Sequence, residues 1–487
     1  MNKHADSLSI GRARAGVVAA AAVALLTACA GGPGYQRPAS ELPATWNVPE
    51  QGAVSSSKVG AQWWKVYGDA RLDRVVDDAL GHNANLLLAI ARVDEARAQL
   101  GYAQSNQAPG VDATFGRSRN ESSLRTGTLP PGAPRERNDY RAALNVSYEL
   151  DLWGRLRLLT DAARAELLAT EAARETVRIT LAADVVQAYF ALRALDLQVA
   201  TTRRTVATRG EGIKLQQKRF DNGVISGFEL AQLQSELAAA EAQLPGLERR
   251  RLQTETALGV LLGRTPQEIF AISGERANAP VAGDPAPVVV PAGLPSELLL
   301  RRPDIVRAEQ NMIAANARIA AARASLFPSI TLTGFLGSES AAMRDLFTGP
   351  AGIWSLAAGL AQPIFQGGRL RAGVDIAEAR ERQALIQYQQ AIQSAFKDVR
   401  DALDGQTQAR QQFDAESRRV LSLRESLRLA RLRFDNGIAS QLDVLDAERN
   451  LLSAELNQAD ALRAQRAAVA DLFKALGGGW EQADAGK

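Results

Sequence analysis

Apolar side chains recur along this chain with two different periods. From Tyr140 to Leu152 they fall on every second position: Tyr140, Ala142, Leu144, Val146, Tyr148, Leu150 and Leu152 alternate with Arg141, Ala143, Asn145, Ser147, Glu149 and Asp151. A period of two predicts a strand with one apolar and one polar face, and Val111, Ala113 and Phe115 offer a hairpin partner. From Arg155 to Arg219 the spacing becomes three and four, uninterrupted by proline. That predicts a helix of roughly 65 residues, about 100 Å long at 1.5 Å per residue. It carries two apolar seams, one through Val177, Leu181, Val185, Ala188, Leu192, Leu195 and Val199, the other through Ile179, Ala182, Val186 and Tyr189. Two seams suit a helix with neighbours on both sides, as in a closed ring of helices.

The pattern is written twice. Arg219-Phe220-Asp221-Asn222-Gly223 returns 214 positions on as Arg433-Phe434-Asp435-Asn436-Gly437. The same offset carries Gly154-Arg155-Leu156 onto Gly368-Arg369-Leu370 and Val185 onto Val399; nearer the N-terminus it becomes 219, placing Pro109 on Pro328 and Leu86 on Ile305. Copy one therefore holds five extra residues between Pro109 and Arg155, and the Gly-, Pro- and charge-rich stretch Thr126 to Asp139 is the loop expected to absorb them. The expected organisation is a signal peptide at 1–28, an extended tether at 29–60, a first repeat at 61–275, a second at 276–477 and a tail at 478–487.

Each copy predicts two strands and a helical hairpin. In copy two the strands are Pro328 to Leu336 and Trp354 to Phe365, with Pro363 near a strand end, and the helices run from Arg369 to Arg433 and from Ser440 to Leu476. Glycine at the end of each Arg-Phe-Asp-Asn-Gly motif can take the left-handed conformation that reverses the chain, and Ser226 with Glu229, like Ser440 with Asp443, reads as a cap for the returning helix. In copy one that helix extends to about Leu262 and holds Pro245, a point for a kink. Upstream, helical spacing from Leu72 to Leu80 breaks at Gly81 to Ala84 and resumes as far as Pro109. A four-stranded sheet leaves open edges. If its apolar face meets lipid, strands of several chains must close a barrel, eight from two chains or twelve from three. The alternative is a small soluble sheet packed on the helices.

The N-terminus adds a membrane signal. Lys3, Arg12 and Arg14 precede an apolar run, Ala15 to Leu26, which is too short to span a bilayer and has the flanks of a signal peptide. Leu26-Thr27-Ala28-Cys29 is similar to a bacterial lipobox, so Cys29 is expected to carry lipid and hold the mature N-terminus at a bilayer; an ordinary signal peptide with a chance cysteine is the plainer reading. Cys29 is the only cysteine, which excludes an internal disulfide. Removing residues 1–28 takes away three basic residues and one acidic one and leaves a net charge of +1. With arginines alternating with acids along helices, no basic face for nucleic acid is expected. The mature chain keeps a single histidine, His82, and no phosphate-binding loop. No enzyme activity, metal or cofactor beyond the covalent lipid is expected.

Further motifs stand in a fixed order: Gly34-Tyr35-Gln36-Arg37-Pro38, Trp63-Trp64 before Gly68-Asp69, Arg301-Arg302-Pro303-Asp304-Ile305, Ala314-Ala315-Asn316-Ala317, Phe327-Pro328-Ser329-Ile330 and Gly367-Gly368-Arg369-Leu370. With the duplication and the lipobox, the mature chain resembles the TolC family of outer-membrane efflux proteins, in its OprM/NodT-type lipoprotein branch. The resemblance implies a mostly α chain with a small β part, three copies of which form a 12-stranded transmembrane β-barrel joined to an α-helical tunnel across the periplasm. It implies a passive conduit for drugs or other toxic small molecules in a tripartite efflux system. The turns Arg219 to Gly223 and Arg433 to Gly437 would lie at the periplasmic tip and meet an adaptor protein coupled to an inner-membrane pump. A lipid-tethered periplasmic coiled-coil scaffold without a pore is the alternative.

The resemblance also points to residues. Asp443-Val444-Leu445-Asp446 matches the motif whose two aspartates form an acidic ring at the periplasmic gate. A spacing of three puts both on one helix face, and threefold symmetry would gather six carboxylates, raising some of their pKa values by mutual repulsion. Asp443 aligns with Glu229 and has a second reading as a helix cap, whereas Asp446 aligns with Gln232 and does not. Ala439 and Phe434 replace an arginine and a tyrosine of the TolC gate, so its closing links do not carry over. Arg141, Asn145, Glu149 and Asp151 would face the barrel lumen, as ion-selecting groups or as general solvation. Tyr140, Tyr148, Trp153 and Trp354 are candidates for aromatic girdles or for ordinary packing.

Overall fold

The computed structural model describes residues 35–38, 60–125, 130, 132–271 and 300–479. The signal segment, Cys29, most of the tether, most of the proline-rich link between the repeats and the end of the tail lie outside the described residues. After a short 3-10 turn at Trp63–Tyr67, the chain forms helices α1 (Ala70–His82) and α2 (Ala84–Ser105), strands β1 (Gly110–Glu121) and β2 (Glu136–Leu150), and helices α3 (Arg155–Asp221), α4 (Gly227–Leu261) and α5 (Pro266–Phe270). Copy two follows with α6 (Pro303–Ala324), β3 (Ser329–Ser340), β4 (Gly352–Ala361), α7 (Arg369–Asp435) and α8 (Gln441–Ala475).

The duplication survives in the element lengths. Helices α3 and α7 have 67 residues each, and α4 and α8 have 35 each. One expectation needs correcting: Glu136, Arg137, Asn138 and Asp139 belong to β2 and not to the loop. They pair with Glu121, Asn120, Arg119 and Ser118 of β1, and the ion pair of Arg119 with Glu136 holds the polar end of this hairpin together.

One compact unit comprises Val93–Thr170 and Arg307–Tyr388 with the described residues 35–38. It contains the sheet, antiparallel throughout, in the order β1-β2-β3-β4. The register brings the apolar positions of all four strands into line. Ala113 pairs with Leu144, Leu144 with Leu336 and Leu336 with Trp354; the next row is Val111, Val146, Gly334 and Leu356. Among the described residues nothing covers this face, since Leu336 is 66% exposed, Trp354 76% and Leu356 77%. Beneath the sheet, Ala162 and Ala165 of α3 pack on Ala314 of α6, the first residue of the Ala-Ala-Asn-Ala motif. Trp153 donates to the Pro328 carbonyl at 2.7 Å and stacks on Phe327, so it is packed rather than projecting into a girdle.

The other unit comprises the described residues of Glu41–Arg92, Glu171–Val306 and Gln389–Lys487. Its core joins Trp63 and Trp64 to Leu72, Val76 and Ala79 of α1, with Val469, Ala470 and Phe473 of α8. Both seams of α3 enter it: Leu181 and Val185 of one, and Ala182, Val186 and Tyr189 of the other, are buried. Asp69 caps α1 by accepting the Arg71 and Leu72 N–H groups, and it accepts the Tyr189 hydroxyl at 2.7 Å. Arg302 is buried against Asp304 at 2.7 Å and Asp398 at 3.2 Å. These contacts account for two of the sequence motifs. Among the described residues no helix is long and apolar enough to cross a membrane, a fact that leaves strands out of account.

Candidate functional site

The two Arg-Phe-Asp-Asn-Gly turns adopt the same backbone. Gly223 and Gly437 both have φ of 70°, a conformation that side chains beyond Cα disfavour. The Val224 N–H reaches the Arg219 carbonyl at 2.8 Å and the Gly223 N–H reaches Phe220 at 2.8 Å; Ile438 and Gly437 repeat both bonds to Arg433 and Phe434. This pair of bonds satisfies carbonyls that a helix end leaves without partners. Asn222 and Asn436 add a third by donating to the Lys218 and Leu432 carbonyls, both at 2.6 Å. Asp221 accepts from Gln217 at 2.9 Å. The Asn and Gly of each motif thus have a local task in turning the chain.

Asp443 and Asp446 follow the second turn. Asp443 completes a capping box: its carboxylate accepts the Ser440 N–H at 2.9 Å and the Ser440 hydroxyl at 3.0 Å. Ser226 and Glu229 form the same box in copy one. The bonds from Ser440, with the charge of Arg433 behind them, hold the Asp443 carboxyl below its ordinary value. Asp446 has no capping task, and Arg449 lies 2.8 Å from it. Within one chain the two aspartates therefore do different things.

Arg449 leads into a charge network that sequence reading missed. Arg209 of α3 is 7% exposed at its side chain, with Glu236 of α4 at 3.4 Å and Glu448 of α8 at 3.9 Å. Its Nη1 donates to the Glu236 carbonyl at 2.6 Å, while Nε and Nη2 make no hydrogen bond. Arg431 of α7 holds Glu448 at 2.7 Å and Arg449 lies 3.8 Å from Glu236. The helical hairpin of copy one is thus tied to that of copy two through a buried guanidinium beside a polar groove of about 370 Å³. A signal existed in the sequence: the position 214 residues after Arg209 is Leu423, so a charge stands where the repeat carries an apolar residue.

Three of the four lumen candidates share a face of β2. Arg141 lies over the Phe335 ring and 3.7 Å from Glu339, Asn145 donates to Thr114 at 2.9 Å, and Glu149 is held by Arg155 at 2.8 Å. Asp151 is not with them. It lies beyond the end of β2 and accepts the Leu156 and Arg157 N–H groups at 3.1 and 2.8 Å, capping α3.

The tether residues Tyr35 and Arg37 converge on Glu309 of α6. Arg37 contacts both carboxylate oxygens, at 2.7 and 2.6 Å, and the Tyr35 hydroxyl adds a third bond at 3.1 Å. Burial and the charge of Glu309 push the Tyr35 hydroxyl pKa well up. Among the described residues, no group of His, Cys, Asp and Glu is arranged to hold a metal ion.

Comparison with known proteins supplies the wider setting. The family model described as "Outer membrane efflux protein" matches residues 75–264 and 294–478, once in each repeat. The outer membrane protein OprJ of Pseudomonas aeruginosa is 37% identical over 96% of this chain and 96% of its own length. The cation efflux system protein CusC of Escherichia coli is 33% identical over 94% of this chain and 97% of its own. Among solved structures, the Campylobacter jejuni CmeC outer membrane channel superposes with a TM-score of 0.83 at 28% identity, covering 92% of this chain and 96% of that one.

Proposed function

The chain belongs to the outer membrane efflux protein family, and from that premise we propose that it carries small molecules passively from a pump and adaptor across the periplasm and the outer membrane. The protein is an outer-membrane efflux channel, built as a trimer of mostly helical chains. One observation carries the mechanism: the sheet offers lipid a continuous apolar face and leaves β1 and β4 each with one unpaired side. Hydrocarbon tolerates no open strand edge. Three chains of four strands close a barrel of twelve, with the row of Arg141, Asn145 and Glu149 inside. A periplasmic scaffold has no use for such a face.

In this reading the two repeats alternate around the axis and the two turns form the end that meets the adaptor. Asp446, free of capping duty, contributes charge to the entrance, and Asp443 both caps α8 and adds to the ring. The buried network at Arg209 supports a closing link different from that of TolC, since Ala439 and Phe434 cannot supply the TolC one. Energy comes from the pump, and a wide water-filled pore leaves selection of the cargo to it.

Planar-bilayer conductance of the purified protein beside Asp443→Ala/Asp446→Ala tests this. A small cation-favouring conductance that grows or loses its selectivity in the variant is expected. Conductance identical in both would remove the aspartates from the permeation path, and a protein soluble without detergent after Cys29→Ala would remove the channel itself.

A further inference from the structure

Past the strand ends the chain carries further exposed apolar side chains: Leu152 is 58% exposed, Ile364 88% and Phe365 89%. Directly after them the chain writes Gly154-Arg155-Leu156-Arg157 and again Gly368-Arg369-Leu370-Arg371, which open α3 and α7. The two arginines of each copy are used differently. Arg155 is bound to Glu149, on the polar face of β2, and Arg369 to Gln366. Arg157 comes two residues later, about 200° further around the helix, so it is turned away from the polar face and toward the apolar one. The repeat gives Arg371 the same relation to Arg369.

Both of these arginines are exposed, and among the described residues neither guanidinium has an ion-pair or hydrogen-bond partner. Asp161, one turn after Arg157, is 3.5 Å from Arg164 instead. Helical side chains lean toward the helix N-terminus, here toward the sheet. Arg157 does so, since a Cβ added to Gly154 would lie 2.8 Å from its Nη2. For Arg157, a cation held at the helix start, next to the exposed apolar side chains at the strand end, suits a side chain that reaches for the headgroup layer.

We propose that Arg157 and Arg371 form a collar that binds the phosphates of anionic phospholipids in the periplasm-facing leaflet of the outer membrane. The inference rests on the channel reading, which sets the sheet in lipid and the helices in the periplasm. Charge complementarity selects the occupant: two unneutralised guanidinium forks, matched to phosphate oxygens, border an apolar band that only acyl chains would cover. The Arg155 and Arg369 side chains, already engaged, take no part.

The test is native mass spectrometry of the full-length assembled protein titrated with phosphatidylglycerol and with phosphatidylcholine, for wild type, Arg157→Gln/Arg371→Gln and the charge-matched Lys214→Gln/Lys397→Gln. Phosphatidylglycerol retention about five-fold weaker per site in the arginine variant, and unchanged in the lysine variant, is expected. Added inorganic phosphate should not displace the lipid, because the acyl chains hold it as well. Equal retention in all three proteins overturns the collar. Should the double variant fail to assemble, Arg371→Gln alone must halve the number of tightly held lipids, and an undiminished number overturns the proposal. Conductance of the same preparations separates the two readings: a conducting protein with indifferent lipid binding loses only the collar, whereas a wild type that neither conducts nor retains lipid loses both.

Discussion

The Asp443 carboxylate accepts the backbone N–H of Ser440 at 2.9 Å, closing the first turn of α8. A residue matching a gate motif is therefore also a structural cap, and the two roles separate by substitution. Ser440→Ala removes the hydroxyl but leaves both aspartates, and should cost about 1 kcal/mol with little change in ion selectivity. Asp446→Asn should do the reverse, lowering cation preference while the thermal unfolding midpoint stays put. Reversal potentials in a salt gradient, paired with thermal unfolding, check both arms.

The same contact has a pH signature. Bonds from Ser440 hold the Asp443 carboxyl below its ordinary value of 3.8. A depressed value means that the stabilisation is complete above the ordinary value and is lost as pH falls through the lowered one. Amide exchange at the start of α8 should be insensitive to pH-dependent opening down to about pH 4 and then rise. Protection unchanged in Asp443→Asn throughout would show that the carboxylate charge is not what holds the turn.

Arg209 joins two helical hairpins from a buried position. Replacing it by methionine keeps the volume but leaves Glu236 and Glu448 without their shared cation, at a cost of about 1 to 3 kcal/mol. If the network is a closing link, Arg209→Met and Glu448→Gln should each raise single-channel conductance, and the double variant should add little to either. Additive effects on conductance would mean that the two residues act independently.

The sheet allows a paired test of its two faces. Leu144→Arg puts a charge on the apolar face, in the row of Leu336 and Trp354, where midplane insertion costs about 2 to 4 kcal/mol. Asn145→Arg, one residue on, puts the same charge on the opposite face. The first should abolish assembly into vesicles and the second should assemble and shift selectivity toward anions. Equal tolerance of both would contradict a lipid-facing sheet.

Lipid on Cys29 is a separate matter from the pore. Cys29→Ser should abolish incorporation of labelled palmitate and lower the mass of the mature protein by its acyl groups, while conductance of the reconstituted protein persists. Unchanged mass would return Leu26 to Cys29 to an ordinary cleavage site.

Much of this was legible from local pattern. Alternation marked β2 because side chains on a strand point to opposite faces, and the repeated Arg-Phe-Asp-Asn-Gly marked both turns because glycine and asparagine meet backbone requirements within a few residues. Local reading failed where a partner lay elsewhere. Glu136 to Asp139 looked like loop, yet β1 supplies Arg119 and the pairing that extends the strand. Asp151 kept the alternation of the lumen face, but the strand ends at Leu150 and the free N–H groups of α3 take its carboxylate. Glu309 sits 219 positions after Ile90; only the folded chain brings Tyr35 and Arg37 to it.

By itself the amino-acid sequence determined the duplication, the order and nature of the elements, the helix-ending turns and both capping boxes, because each follows from spacing or from bonds spanning a few residues. Only the tertiary structure decided which charges are neutralised and which are not. It paired Arg155 with Glu149, left the Arg157 guanidinium without a partner among the described residues, and buried Arg209 between two hairpins. Those outcomes depend on how side chains of different elements are brought together, and Coulomb and hydrogen-bond energies at a few ångströms are set by that packing, on which periodicity is silent.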